Sequence, residues 1–275
     1  MRTESATTRR TLLLALAAGA AIGAPTGGRA EEDEAARAAR WAQLQRAIFG
    51  SREIADGSAL IGIDAPQRAL DAALVPVTLT LPADRAVAGL YFVIDENPSP
   101  LAAHFTFGPK ADPRELKLRV RVDQYTDMHA VMETADGKLY AAARFIKASG
   151  GCSAPAGPDD AAALADMGRM KLRLVDGFAA GKPVAATLML RHPNFNGMQM
   201  DQITRHYTPA RFIQSIDVAF NGGKVFHLDS DISLSTDPVI GFAFVPDEPG
   251  SLTVAVKDSA NASWERRFPM PPSGA

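Results

Sequence analysis

The sequence predicts an all-β protein, two immunoglobulin-like β-sandwich domains in tandem behind an N-terminal signal peptide and a short helix. Three observations carry that prediction. Short β-prone segments recur at a spacing of roughly ten residues, as in sandwich folds. The 19 prolines and 22 glycines call for many turns rather than a helical bundle. A Gly-, Pro-, Ser- and Ala-rich stretch, residues 149–160, divides the strand-like segments into two runs.

In chain order, the first thirty residues read as an export signal. Arg9-Arg10 precede an apolar run from Leu12 to Ala24, and small residues lead to Gly28-Arg29-Ala30. A charged start, an apolar stretch and a small-residue cleavage site define a signal peptide. The arginine pair points to the twin-arginine route, with an ordinary secretory signal as the alternative. The run is shorter than the roughly 20 apolar residues that span a bilayer, so no membrane anchor is expected. The mature chain is expected to begin near Glu31, to be periplasmic, and to hold about 245 residues, enough for two domains. Its formal net charge of −2, with both signs interspersed, gives no basic face for nucleic acid.

Residues 31–49 have helical spacing, with Trp41, Leu44, Ile48 and Phe49 on one side and Gly50 as a natural stop. Acidic residues at the start suit the helix dipole. Then the period changes to two. Residues 60–63, 75–81, 89–94, 103–107, 116–122, 125–133 and 139–147 read as seven strands. The fifth alternates cleanly, apolar at even positions and charged at odd, which predicts that Arg119 and Arg121 face solvent. Asp136-Gly137 marks a hairpin between the last two. Beyond the break, residues 161–167 suit one or two helical turns. Strand-like segments resume at 170–175, 184–191, 212–220, 224–228, 240–245, 252–256 and 263–268, with Asn221-Gly222-Gly223 as a second hairpin signal. The domain boundaries follow: signal 1–30, first domain 31–148, linker 149–160, second domain 161–275.

The linker holds the one cysteine of the chain, Cys152, in Ser149-Gly-Gly-Cys-Ser-Ala-Pro155. A single thiol makes no intramolecular disulfide, and in an exported protein it signals intermolecular pairing or reactivity. Gly150 and Gly151 permit positive φ and remove bulk, so the sequence predicts a mobile, exposed thiol. With only Lys147 and Arg144 nearby to stabilise an anion, its pKa is expected near the ordinary value of roughly 8.5.

Other chemistry-bearing residues have plainer readings. Asp95, Glu96 and Asn97, beside Pro98 and Pro100, read as a turn at a strand end. His104, between apolar residues, reads as a core or edge histidine. His192, Met198, Met200 and His206 offer donors that suit copper, which keeps a copper-handling protein as an alternative. No Ser/His/Asp motif, phosphate loop or metal-ligand spacing stands out, so neither a cofactor nor turnover is expected.

The motifs in order resemble a known pair of families. Arg144-Phe-Ile-Lys-Ala-Ser-Gly-Gly-Cys152 is similar to the end of SoxY, the sulfur-carrier subunit of the periplasmic thiosulfate-oxidising system, whose chain ends in a Gly-Gly-Cys-Gly arm. Asp95-Glu-Asn-Pro-Ser-Pro100 and Ala103-His-Phe105 resemble another SoxY segment. Arg191-His-Pro193, Gly197-Met198, Pro209-Ala-Arg-Phe-Ile213, Phe220-Asn-Gly222, Val225-Phe226, Pro238 to Phe244 and Glu248-Pro-Gly-Ser-Leu-Thr253 follow the SoxZ pattern. The whole resembles a fused SoxYZ-type carrier of the group associated with quinoprotein dehydrogenases. Two departures stand out. Cys152 is followed by more than a hundred residues instead of lying at the chain's end, and Ser153 replaces the last glycine, so the arm is tethered on both sides.

The resemblance implies a non-enzymatic carrier that holds a sulfur species covalently on Cys152, with Gly150 and Gly151 as flexible joints. Its implied partners are a periplasmic c-type cytochrome or a quinoprotein dehydrogenase. It also implies an apolar interface between the two domains, in place of the SoxY–SoxZ subunit contact. The rival from a different class is a non-covalent adaptor that docks such a dehydrogenase with its cytochrome.

Overall fold

Alternating burial shapes most of the strands. In β3 (Val75–Thr80), Val75, Val77 and Leu79 are buried while Pro76 and Thr80 are exposed. In β10 (Val184–Leu190), Val184, Ala186, Leu188 and Leu190 are the buried set. One face of each strand thereby enters a common core. The computed structural model describes residues 27–154, 164–200 and 205–271, with side chains from residue 33. Residues 1–26 of the expected export segment and 155–160 of the expected linker lie outside the described residues.

The helix α1 (Gly27–Phe49) begins ahead of the predicted Glu31 and ends at Gly50, whose φ of 65° and N–H bond to Arg46 O close it. After it come β1 (Ile54–Asp56), β2 (Gly62–Asp64), β3, β4 (Val87–Ile94), β5 (Leu101–Phe107), β6 (Ala111–Val120), β7 (Thr126–Thr134) and β8 (Leu139–Ile146). The second half of the chain supplies β9 (Met170–Leu174), β10, β11 (Ile213–Phe220), β12 (Gly223–Ser230), β13 (Val239–Phe244), β14 (Gly250–Asp258) and β15 (Ser263–Met270). Both predicted hairpins form. Asn221 and Gly222 take φ of 48° and 80°, the two left-handed residues a type I′ turn needs.

Each half is a two-layer sandwich, and the layers continue from one half into the other. The nine-stranded sheet runs β1-β8-β7-β4-β5-β12-β11-β14-β15, and the six-stranded sheet runs β2-β3-β6-β13-β10-β9. The halves therefore meet edge to edge in both layers, through the antiparallel pairs β5–β12 and β6–β13. This joint removes four strand edges that would otherwise present unpaired backbone groups. Two close approaches demand glycine there. A Cβ on Gly108 would lie 2.2 Å from Lys224 O, and one on Gly241 would lie 2.9 Å from Lys117 Cβ.

Side chains follow the same path. Phe105 of β5 packs edge-on against Phe226 of β12, Phe226 against Phe242 of β13, and Phe242 lies beside Phe244. One buried cluster contains core residues of both halves. The apolar interface expected between the domains is thus a continuous core, where each fully buried Phe or Leu contributes roughly 1.5–3 kcal/mol.

From Arg37 onward the chain forms one unit, and residues up to Ala36 stand as a unit of their own. The later turns of α1 lie on the outer face of the nine-stranded sheet. Trp41 stacks on His129 at 3.6 Å, and Phe49 meets Tyr91 edge-on at 5.0 Å. No described helix is long and apolar enough to cross a membrane.

Candidate functional site

The site is assembled from three stretches of backbone that converge at the junction of the two halves. The first is the end of β6. Arg121, predicted to face solvent, is 1% exposed. The alternation breaks there because β6 ends at Val120 and the next side chain meets acceptors of the second half instead of solvent. The Arg121 guanidinium donates to Leu234 O, to Ile232 O at 3.3 Å, to Thr236 Oγ1 at 2.9 Å and to Pro193 O at 3.5 Å. All four acceptors belong to the second half. Burial lowers the Arg121 pKa to about 10, and the Cys152 thiolate would act in the opposite sense.

The second stretch is the turn after β4. Asp95 to Ser99 form the bend the sequence predicts. Asn97 braces the end of β6: its Nδ2 donates to Arg121 O at 2.8 Å and to Ser233 Oγ at 2.9 Å, and its Oδ1 accepts from Asp123 N at 2.9 Å. Asp95 serves the helix instead. Its Oδ1 sits 2.9 Å from His129 Nδ1, beneath the Trp41 ring, and its main-chain oxygen accepts from Arg40 Nε at 3.0 Å. Burial pushes the Asp95 pKa up, against the pull of His129.

The third stretch is the cysteine arm itself. Past β8 the chain stays stitched to the sandwich, with Lys147 N bonded to Gln67 O and Ala148 buried. Ser149 and Gly150 emerge into solvent, and the chain then dips back. Gly150 takes φ of 80° and donates its N–H to Asp123 O at 2.8 Å. Gly151 donates to Val122 O at 3.0 Å. A Cβ at Gly151 would lie 2.1 Å from Ala72 O and 2.7 Å from Val122 O, so only glycine fits this slot. Cys152 follows, and Asn196 of the second half donates from Nδ2 to Cys152 O at 2.6 Å.

Cys152 is fully buried, at 0% exposure, which corrects the expectation of an exposed, mobile thiol. The same lack of bulk that permits swinging also permits close packing, and here the glycines let the arm settle into a tight slot. The expectation of an ordinary pKa is corrected as well. Burial pushes the thiol up to about 12, Asp123 adds to the rise, and Arg121 opposes it. The charges that act on it are these two and not Lys147 or Arg144, the pair expected from the sequence; Arg144 Nε donates instead to Ala65 O at 2.9 Å. Docked in this way the thiol is held in its neutral form, whereas the thiolate is the nucleophile.

The remaining candidates are dispersed. His104, half-buried, stacks on Tyr91 at 4.0 Å on the outer face of the nine-stranded sheet. His192 is buried, its Nδ1 accepting from Asn194 N at 3.0 Å and its Nε2 lying 3.6 Å from Asp258 Oδ2. Its pKa is lowered by burial. Met198 and Met200 lie in the following segment, and Met200 forms an isolated bridge with Tyr207. Among the described residues no group of three or more His, Cys, Asp or Glu is placed to hold a metal. Arg121 and Asn196 are the residues of this site that sequence reasoning missed. A charged side chain next to the end of β6 and an Asn-Gly pair, Asn196-Gly197, were the only signals.

Comparison with known proteins finds two family matches, one after the other along the chain. The family model for sulfur oxidation protein SoxY matches residues 45–152, and that for sulphur oxidation protein SoxZ matches residues 172–269. No curated protein matches the chain. Among solved structures, the sulfur carrier protein SoxY from Chlorobium limicola f thiosulfatophilum is 31% identical, with 43% of this chain and 99% of that one covered and a TM-score of 0.37. A biofilm-associated protein's BSP domain is 10% identical, with 78% of this chain and 30% of that one covered and a TM-score of 0.25. A β-glycosidase from Bacteroides vulgatus is 8% identical, with 76% and 24% covered and a TM-score of 0.24. With a SoxY domain followed by a SoxZ domain, the chain belongs to the SoxY and SoxZ families of sulfur oxidation proteins, as a fused, SoxYZ-like carrier.

Proposed function

We propose that this protein carries a sulfur species covalently on Cys152 and presents it to periplasmic redox partners, with no turnover of its own. One observation carries the reading: the SoxY-family match ends on Cys152, the single cysteine of the chain. With thiosulfate as the example, the thiol loses its proton and an S–S bond forms to the outer sulfur of thiosulfate. Two electrons pass to a haem-bearing or quinoprotein partner. Hydrolysis by a partner enzyme then releases the outer group as sulfate and leaves a persulfide on Cys152. A redox partner takes the electrons as that sulfur is oxidised to the sulfonate level with oxygen from water, and a second hydrolysis releases sulfate and returns the thiol. Thiol–disulfide exchange keeps such adducts reversible.

The expected outcome is a sulfur-containing mass on the Cys152 peptide of protein purified from cells supplied with a reduced sulfur compound, removed by reductant. Unmodified thiol alone, with sulfur compound and oxidising partner both present, would contradict it.

The buried, high-pKa thiol favours a second reading, a non-covalent adaptor that docks a quinoprotein dehydrogenase with its cytochrome. Cys152→Ser separates the two, since a carrier loses function entirely and an adaptor retains it.

A further inference from the structure

The arm is held from both sides of the junction, and the two sides differ in kind. The first half contributes backbone carbonyls, Asp123 O and Val122 O, to the N–H groups of Gly150 and Gly151. The second half contributes one side chain. Asn196 is 5% exposed and lies just past the bridge Phe195↔Arg211. Its orientation is set by its neighbours. Oδ1 accepts from Met198 N at 2.9 Å, which leaves the NH₂ group for Cys152 O at 2.6 Å. Gly197 takes φ of 83°, the left-handed turn that folds Met198 N back toward Asn196 Oδ1. Both ends of a buried amide are thus used, one to fix the loop and one to fix the arm. Among the described residues no other side chain of the second half bonds the arm's backbone.

We infer that Asn196 is the positioning residue for the carrier cysteine: its amide latches the arm in the docked state, and Cys152 reacts only when that bond is released. The docked arm shields the thiol from adventitious disulfides, and release exposes it on the Gly150–Gly151 hinge. Control of access to a cysteine of the SoxY half thereby lies in the SoxZ half. A single neutral hydrogen bond is the right strength for such a latch, because it holds the arm at rest and yields without unfolding the sandwich. The inference rests on Cys152 as the attachment residue for its meaning. Its test reads only access to the thiol.

The test is the rate at which N-ethylmaleimide alkylates the folded, full-length protein, followed by intact mass near neutral pH. Asn196→Asp keeps the acceptor for Met198 N–H and turns an oxygen toward Cys152 O, and Asn196→Ala removes the amide outright. Both are expected to raise the rate on the order of tenfold, the population shift from losing one such bond. Gly151→Ala opens the arm from the opposite side, through its clash with Ala72 O, and serves as the reference for an undocked thiol. Adding an Asn196 substitution to Gly151→Ala is expected to give no further gain.

Wild-type rates in both Asn196 variants, beside a raised rate in Gly151→Ala, would overturn the latch. So would a rise in the Asn196 variants that merely tracks their loss of global stability in urea. Absence of a sulfur adduct in cells would sink the carrier reading and leave the trapping result standing.

Discussion

The two halves are joined twice, and the joints have opposite character. Along the seam, β5–β12 and β6–β13 extend both sheets across the boundary, and Phe105, Phe226 and Phe242 fill the core behind them. At the dock, three hydrogen bonds hold a loop of small residues against Ala72 and Val122. Burial of large apolar area makes the first a fixed frame, and a few polar contacts make the second a local, reversible closure. A carrier needs both. The cargo-bearing segment has to move while the body that partners recognise does not.

The largest expected effect comes from breaking the frame. Phe105→Ala opens a cavity where the two cores meet and is expected to cost about 3–5 kcal/mol in urea unfolding, lowering the stability of both halves together. Independent unfolding of the halves would show that the core is not shared.

Arg121→Ala comes next, at about 3 kcal/mol, because it strips partners from buried oxygens of the second half at Ile232, Leu234, Pro193 and Thr236. A loss below about 1 kcal/mol would place those groups in contact with water instead.

The smallest effect separates the dock from the frame by pH. Burial favours the neutral thiol, so docking is fully supported below the pKa of an exposed cysteine, roughly 8.5, and weakens as pH rises from there toward about 12. The alkylation rate is therefore expected to keep climbing with pH where an exposed thiol would level off. Levelling off near pH 8.5 would mean an undocked arm.

The contrast also marks what the sequence could convey. Strands with strict alternation, such as β3, and the turns at Asp136-Gly137 and Asn221-Gly222 were legible because their determinants are local. The strand β1 was not, since three residues carry no period and its parallel pairing with β8 is non-local. Arg121 obeyed the local pattern and was misread, because burial there comes from a half of the chain about a hundred residues away. Cys152 was found by composition and misplaced by it. Two glycines announce freedom in the unfolded chain, and the slot formed by Ala72 and Val122 appears only once β6 is in place. Asn196 fell between two segments that resembled the family, Arg191 to Pro193 and Gly197-Met198, and its bond to Cys152 O spans 44 residues and has no periodic signature.

The measurement that bears most directly on a buried carrier thiol is the urea dependence of Cys152 alkylation in the folded wild-type protein. Local release of the arm predicts complete labelling at a rate that hardly changes at low urea and far exceeds global unfolding. Labelling only as fast as the whole sandwich unfolds, with the full urea dependence of that transition, would contradict an arm that opens and closes.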